Sequence, residues 1–122
     1  MHAENGFKFM KVKLGFGVAD DIKVMQAIQK VIDPAEISLM VDSNHAYGRT
    51  EALYLGQAMA DMQLRWYEEP VAPEDYQGYA ELRRRLPMAI AGGENEHGLY
   101  GFNALFDAGC VDIAQPDIGS CG

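Results

Sequence analysis

Apolar and polar positions along the chain switch period repeatedly. In FKFMKVKL (7–14), Met10, Val12 and Leu14 alternate with Phe9, Lys11 and Lys13, the two-residue period of a strand that carries lysines on one face. Ile22, Met25, Ile28 and Ile32 then recur at three- and four-residue steps, which predicts a helix ended near Pro34. Asp20 and Asp21 fall in its first turn, where the helix dipole favours anions. ISLMVD (37–42) is short and apolar like a buried strand, and Ala52, Leu55, Met59 and Met62 follow on one helical stripe. LRWYEEP (64–70) returns to a strand, and Tyr76, Tyr79, Leu82 and Leu86 make the next stripe. MAIAGGE (88–94) is a strand running into glycines, Phe102, Leu105 and Phe106 mark another helix, and VDIAQPD (111–117) closes the series as a fifth strand.

Five strands alternating with four helices through short connections predict an α/β protein of right-handed βαβ units around a parallel sheet. Doubly wound sheets and (β/α)8 barrels share this alternation, so the period leaves both open. No linker or low-complexity stretch interrupts the series, and 122 residues at 48% hydrophobic content suit one folding unit or a piece of one. A series that closes on an uncovered strand implies neighbouring strands beyond it.

Composition narrows the function classes. No run approaches the length of a membrane span, and the N-terminus lacks the charged-then-apolar pattern of a secretory signal, so a cytoplasmic location with no membrane partner is the default expectation. Cys110 and Cys121 sit at no metal-ligand spacing and are expected as free thiols. A net charge of -8 repels phosphate backbones, and the ten basic residues are scattered apart from Arg83 to Arg85, which argues against nucleic acid.

The acidity is patterned. Each strand after the first ends in an acid, at Asp42, Glu68, Glu94 and Asp117, with intervals of 26, 26 and 23 residues. One βα unit takes about that length, so these side chains fall at the carboxyl ends of consecutive strands, where barrel active sites are built. Converging carboxylates repel one another without a cation between them. Oxygen-only ligation with few histidines suits Mg2+ better than zinc. Taken singly, each acid can equally be the N-cap of the helix that follows it.

Lys11 and Lys13 stand two apart and share a face, which turns inward if Met10, Val12 and Leu14 pack on the helices. Two adjacent ammonium groups near a dication disfavour the charged form and make a lysine usable as a general base. Taken alone, the pair also fits an edge strand with solvated lysines.

The motifs KVK, VDSN, WYEEP, GGEN and QPD, with their spacing, resemble the strand-end motifs of the mandelate racemase and muconate lactonising branch of the enolase superfamily, over nearly all of residues 6–122. The resemblance implies a partial (β/α)8 barrel, (βα)4β, covering the second to the sixth barrel strands. It implies Mg2+ ligation by Asp42, Glu68 and Glu94, with Lys13 as the proton-abstracting base and Lys11 as its partner. Asp117 matches an aspartate that pairs with a histidine on the following strand. Asn44 matches a position near the metal-bound substrate, and Glu96 and His97 lie where relatives place specificity residues. His45 is expected in a supporting structural role, and Glu69 as a hydrogen-bonding neighbour rather than a ligand.

The implied chemistry is removal of the proton next to a carboxylate through a metal-stabilised enolate, acting on a sugar acid or its lactone. KVKLGFGVADD, VDSNHAYG, WYEEPVAPE and AGGENEHGLYG look most like sugar-acid dehydratases and galactarolactone cycloisomerases, with dehydration the first expectation and cycloisomerisation, racemisation or epimerisation the alternatives. The family's N-terminal capping domain has no counterpart before Gly6, and the histidine-bearing strand would lie past Gly122. The chain alone is therefore expected to be an inactive fragment of a homo-oligomeric parent, and a non-catalytic chain that retains the motifs is the alternative of another class.

Overall fold

A computed structural model describes residues 6–122. The described chain runs β1 (Phe9–Lys13), α1 (Val18–Gln29), β2 (Ser38–Asp42), α2 (Arg49–Ala58), β3 (Trp66–Glu68), α3 (Tyr76–Arg85), β4 (Ala89–Gly92), α4 (Gly98–Asp107) and β5 (Ile113–Ala114). A 3-10 turn over Ala60–Met62 prolongs the apolar stripe of α2, so that Met59 and Met62 are both buried.

All neighbouring strands pair in parallel, in the order β1-β2-β3-β4-β5. A doubly wound sheet reverses its strand order at a switch point; this one never reverses, which leaves the singly wound, barrel-type arrangement of the two that the period allowed. Lys13 is the register partner of Asp42, and Asp42 of Glu68.

The two faces of the sheet differ. Leu39, Val41, Tyr67 and Ile90 point into the core beneath the helices, where Met25, Leu55, Met59, Tyr79 and Leu82 meet them. Met10 and Val12 pack against the same core, so Lys11 and Lys13 stand on the opposite face with Met40, Asp42 and Glu68.

Helix ends follow local chemistry. The chain leaves α1 at Gln29, five residues before Pro34, because Asp33 builds a turn of its own: its carboxylate accepts from Ala35 N at 2.8 Å and its carbonyl accepts from Glu36 N and Ile37 N. Asp75 caps α3 by accepting from Gly78 N at 3.0 Å, and Arg83 to Arg85 fill the last turn, where cations suit the dipole. Cys110 and Cys121 are free thiols. No helix among the described residues is long and apolar enough to cross a membrane.

Candidate metal and proton-transfer site

The carboxyl edge of the sheet carries the charge. Asp42 and Glu68 are the last residues of β2 and β3, and both are buried at 1–2% exposure. Buried carboxylates need charged partners, and β1 supplies them. Lys11 Nζ donates to both Glu68 oxygens at 3.0 Å and lies 3.5 Å from Asp42 Oδ2. Lys13 Nζ is ion-paired with Asp42 Oδ2 and donates to Asn44 Oδ1 at 2.7 Å. Asp42 Oδ1 accepts from Asn44 N at 2.9 Å, and Trp66 Nε1 donates to Glu68 Oε2 at 3.1 Å.

These contacts set the protonation states. Burial would raise the Asp42 carboxyl, but the Lys13 and Asn44 hydrogen bonds and the two lysine charges outweigh it and hold the group below the usual aspartate value. Burial likewise pulls Lys11 down, and the hydrogen bond and charge of Glu68, aided by Asp42, carry it above the usual lysine value. The lowering of a lysine pKa is expected beside a second ammonium and a dication; facing the two carboxylates, Lys11 is raised.

Glu94 differs from the other two acids. It lies two residues past β4, beyond Gly93 at φ 112, and its carboxylate makes no hydrogen bond or ion pair with another described residue. Burial and the charges of Glu69, Glu68 and Asp42 raise its pKa, with Lys13 opposing. It thus feels the carboxylates of the adjacent strands while its own oxygens take no partner among the described residues. As the side chains stand, no three acids, histidines or cysteines among the described residues are gathered closely enough to hold a metal ion. The donor set nonetheless fits a hard, oxygen-seeking cation: two carboxylates on adjacent strand ends and a third uncommitted one beside them.

The turns behind the edge are tightly tied. Asn44, His45 and Glu69 all adopt left-handed φ angles, at 47°, 60° and 48°. Glu69, 1% exposed, lies 2.9 Å from His45 Nε2 and accepts from the Asn44 and Asn95 amides at 3.4 and 3.3 Å, and the Asn95 amide nitrogen also meets His45 Nε2 at 2.8 Å. His45 Nδ1 lies 2.7 Å from Val71 O. Burial lowers the His45 pKa, but the Glu69 hydrogen bond, the Val71 carbonyl and the charges of Glu69 and Glu94 raise it overall.

In front of Lys13, Gly15 takes φ 102, and a Cβ there would lie 3.0 Å from Ser43 O and Ala46 Cβ. That turn is held by the buried Asp21, whose carboxylate accepts from Gly15 N at 2.7 Å, from Phe16 N at 3.3 Å and from the Tyr47 hydroxyl.

The structure therefore brings Lys11, Lys13, Asp42, Asn44 and Glu68 into one network, with Glu94 beside it. The other expected residues are bonded elsewhere. Glu96 accepts from the Tyr76 hydroxyl on α3 at 2.5 Å and from His97 N at 3.1 Å. His97 Nδ1 lies 2.8 Å from Ser120 O. Asp117 accepts from Gly119 N at 2.8 Å within its own turn past β5. Two residues were missed: Trp66, whose two-residue offset from Glu68 already puts both on one face of a strand, and Asn95, for which the sequence carries no signal beyond its place in GGEN.

Known proteins match this arrangement. A family model described as "Enolase C-terminal domain-like" matches residues 1–122. The chain is 46% identical to a D-galactarolactone cycloisomerase of Agrobacterium fabrum, over 96% of this chain and 31% of the relative. It is 38% identical to an L-rhamnonate dehydratase of Saccharopolyspora erythraea, over 98% of this chain and 33% of that protein. An enolase from Bradyrhizobium, solved with magnesium and mandelic acid, superposes with a TM-score of 0.91 at 35% identity, covering 98% of this chain and 33% of that one. The chain thus spans about a third of the length of these relatives. With its strand-end carboxylates and lysines on a sheet that never reverses order, the chain belongs to the enolase C-terminal domain-like family and forms part of that family's (β/α)8 barrel.

Proposed function

We propose that the protein carrying this chain removes the proton next to the carboxylate of a sugar acid or its lactone, with Mg2+ held by Asp42, Glu68 and Glu94. The observation that carries this is the register itself: Lys13, Asp42 and Glu68 lie side by side at the carboxyl edge, with Lys11 across both acids. The bound ion supplies Lewis-acid stabilisation of charge developing on the substrate carboxylate. Lys13 takes the proton from the end of β1 as the neutral amine, after its ammonium has given a proton to solvent and exchanged its Asp42 contact for the substrate. Lys11, held against Glu68, keeps a second positive charge beside the developing anion. Asn44 fixes Lys13 from the side.

The magnesium bound in the Bradyrhizobium relative supports the choice of ion. Cycloisomerisation of a lactone is supported by the 46% identity to the galactarolactone enzyme. Dehydration is the second reading, favoured by the 38% identity to the rhamnonate enzyme. The two differ in what leaves once the α-proton is gone: a ring ester oxygen or a β-hydroxyl.

Incubating the full-length protein in deuterium oxide with sugar acids and lactones tests the common step. The wild type exchanges the α-proton on one face, and Lys13→Ala abolishes exchange while still binding Mg2+. Exchange at the wild-type rate in Lys13→Ala would assign the base to another residue.

A further inference from the structure

Asn44 connects the proposed base to a buried carboxylate behind it. Its Oδ1 accepts from Lys13 Nζ at 2.7 Å, and its Nδ2 donates to Glu69 Oε2 at 3.4 Å. An ammonium can only donate and a carboxylate only accept, so a single orientation of the amide satisfies both ends. The backbone holds the same arrangement: Asn44 N donates to Asp42 Oδ1 at 2.9 Å, and His45 N to Glu69 O at 2.8 Å.

Glu69 is itself fixed. Its Oε1 lies 2.9 Å from His45 Nε2 and accepts from Asn95 Nδ2 at 3.3 Å, and Asn95 Nδ2 also meets His45 Nε2 at 2.8 Å, so the three side chains form one cluster. His45 Nδ1 meets Val71 O at 2.7 Å, so the imidazole lies between the Val71 carbonyl on one side and the Glu69 and Asn95 side chains on the other. The ring thereby bolts the turn after β2 to the turn after β3.

We infer that Glu69 and His45 are positioning residues for Lys13, acting through the Asn44 amide. Glu69 determines which end of the amide faces the base, and His45 determines where Glu69 points. Neither touches Lys13. The inference rests on the reading of Lys13 as the base. Replacing Glu69 with Gln removes the constraint, because a Gln can donate to Asn44 Oδ1 and turn Asn44 Nδ2 against the ammonium.

The test uses the full-length protein with Mg2+ and a substrate whose α-proton the wild type exchanges. Glu69→Gln is expected to lower kcat for exchange by about ten- to a hundredfold, the scale of a small misplacement of a reacting group. KM and Mg2+ affinity are expected to stay within about threefold, and His45→Gln to shift kcat in the same direction by less. A loss that acts only through Asn44 is not additive with loss of Asn44 itself. Glu69→Gln/Asn44→Ala should therefore be no slower than Asn44→Ala, and the same holds for His45→Gln/Asn44→Ala if Glu69→Gln fails to fold. Wild-type kcat in the single variants, or doubles that multiply the single losses, would overturn the inference and leave the proposed function intact. A wild type that exchanges no α-proton with any sugar acid or lactone would remove both.

Discussion

The Tyr47 hydroxyl donates to the buried Asp21 carboxylate across 26 residues of chain, and the same oxygen accepts from Gly17 N at 3.0 Å. One phenol therefore ties the turn after β1 to the turn after β2. Burial and the Asp21 charge push its pKa up to about 12, so it remains a donor at neutral pH. Tyr47→Phe strips a donor from a buried carboxylate and should cost about 1–3 kcal/mol. Urea unfolding measures it; a change within error would mean that Gly15 N and Phe16 N satisfy Asp21 unaided.

Removing one ligand oxygen should show directly in metal binding. Glu68→Gln is expected to weaken Mg2+ by more than the roughly ten- to hundredfold that losing a supporting residue costs. Calorimetric titration of the full-length protein reads this, and equal affinity in wild type and variant would sink the ligand assignment.

Asp75 offers a pH test away from the site. Its carboxylate is ion-paired with Arg49 and caps α3 through Gly78 N. The Arg49 hydrogen bond outweighs burial, and with Gly78 N and the Arg49 charge it holds the carboxyl below its ordinary 3.8. A depressed folded pKa means stability present above the unfolded value and lost as pH falls through the folded one. Wild type should exceed Asp75→Ala by about 1 kcal/mol at pH 7, the worth of a helix cap, and the gap should narrow only below pH 4. A gap that closes at higher pH would show that the arginine contact contributes nothing.

How the 122-residue chain behaves alone follows from its edges. β1 and β5 each pair on one side only among the described residues, and Phe9 and Ile118 are 56% and 93% exposed. Unpaired strand edges beside apolar surface favour self-association. Size-exclusion chromatography with a sugar-acid activity screen should find an inactive, associating species; a monodisperse, active monomer would refute this.

Much of this was legible in the residues, for reasons of period and spacing. Alternation in FMKVK put both lysines on one face, and 26-residue steps placed Asp42 and Glu68 in register, because regular strands obey a repeat. Legibility stops where the repeat stops. β2 ends at Asp42, so strand alternation says nothing about His45, whose left-handed backbone turns the ring onto Glu69. Asp21 reads as a dipole-favoured acid in a first helical turn, yet it is spent on loop amides that only the folded chain brings near. Glu96 is drawn to Tyr76 on α3 and His97 to Ser120 O, contacts that only the folded chain makes, and Asp117 is held within its own turn.

The sheet order has a consequence for assembly. Because each strand pairs with the one just before it, every step closes a loop of similar, modest length, from Lys13 to Asp42, then to Glu68, then to Ala91. Loop-closure entropy grows only slowly with length, so no late step carries a penalty larger than the first. The chain can add one βα unit at a time from its N-terminal side, and the three acids enter the edge in the order in which a ribosome would deliver them.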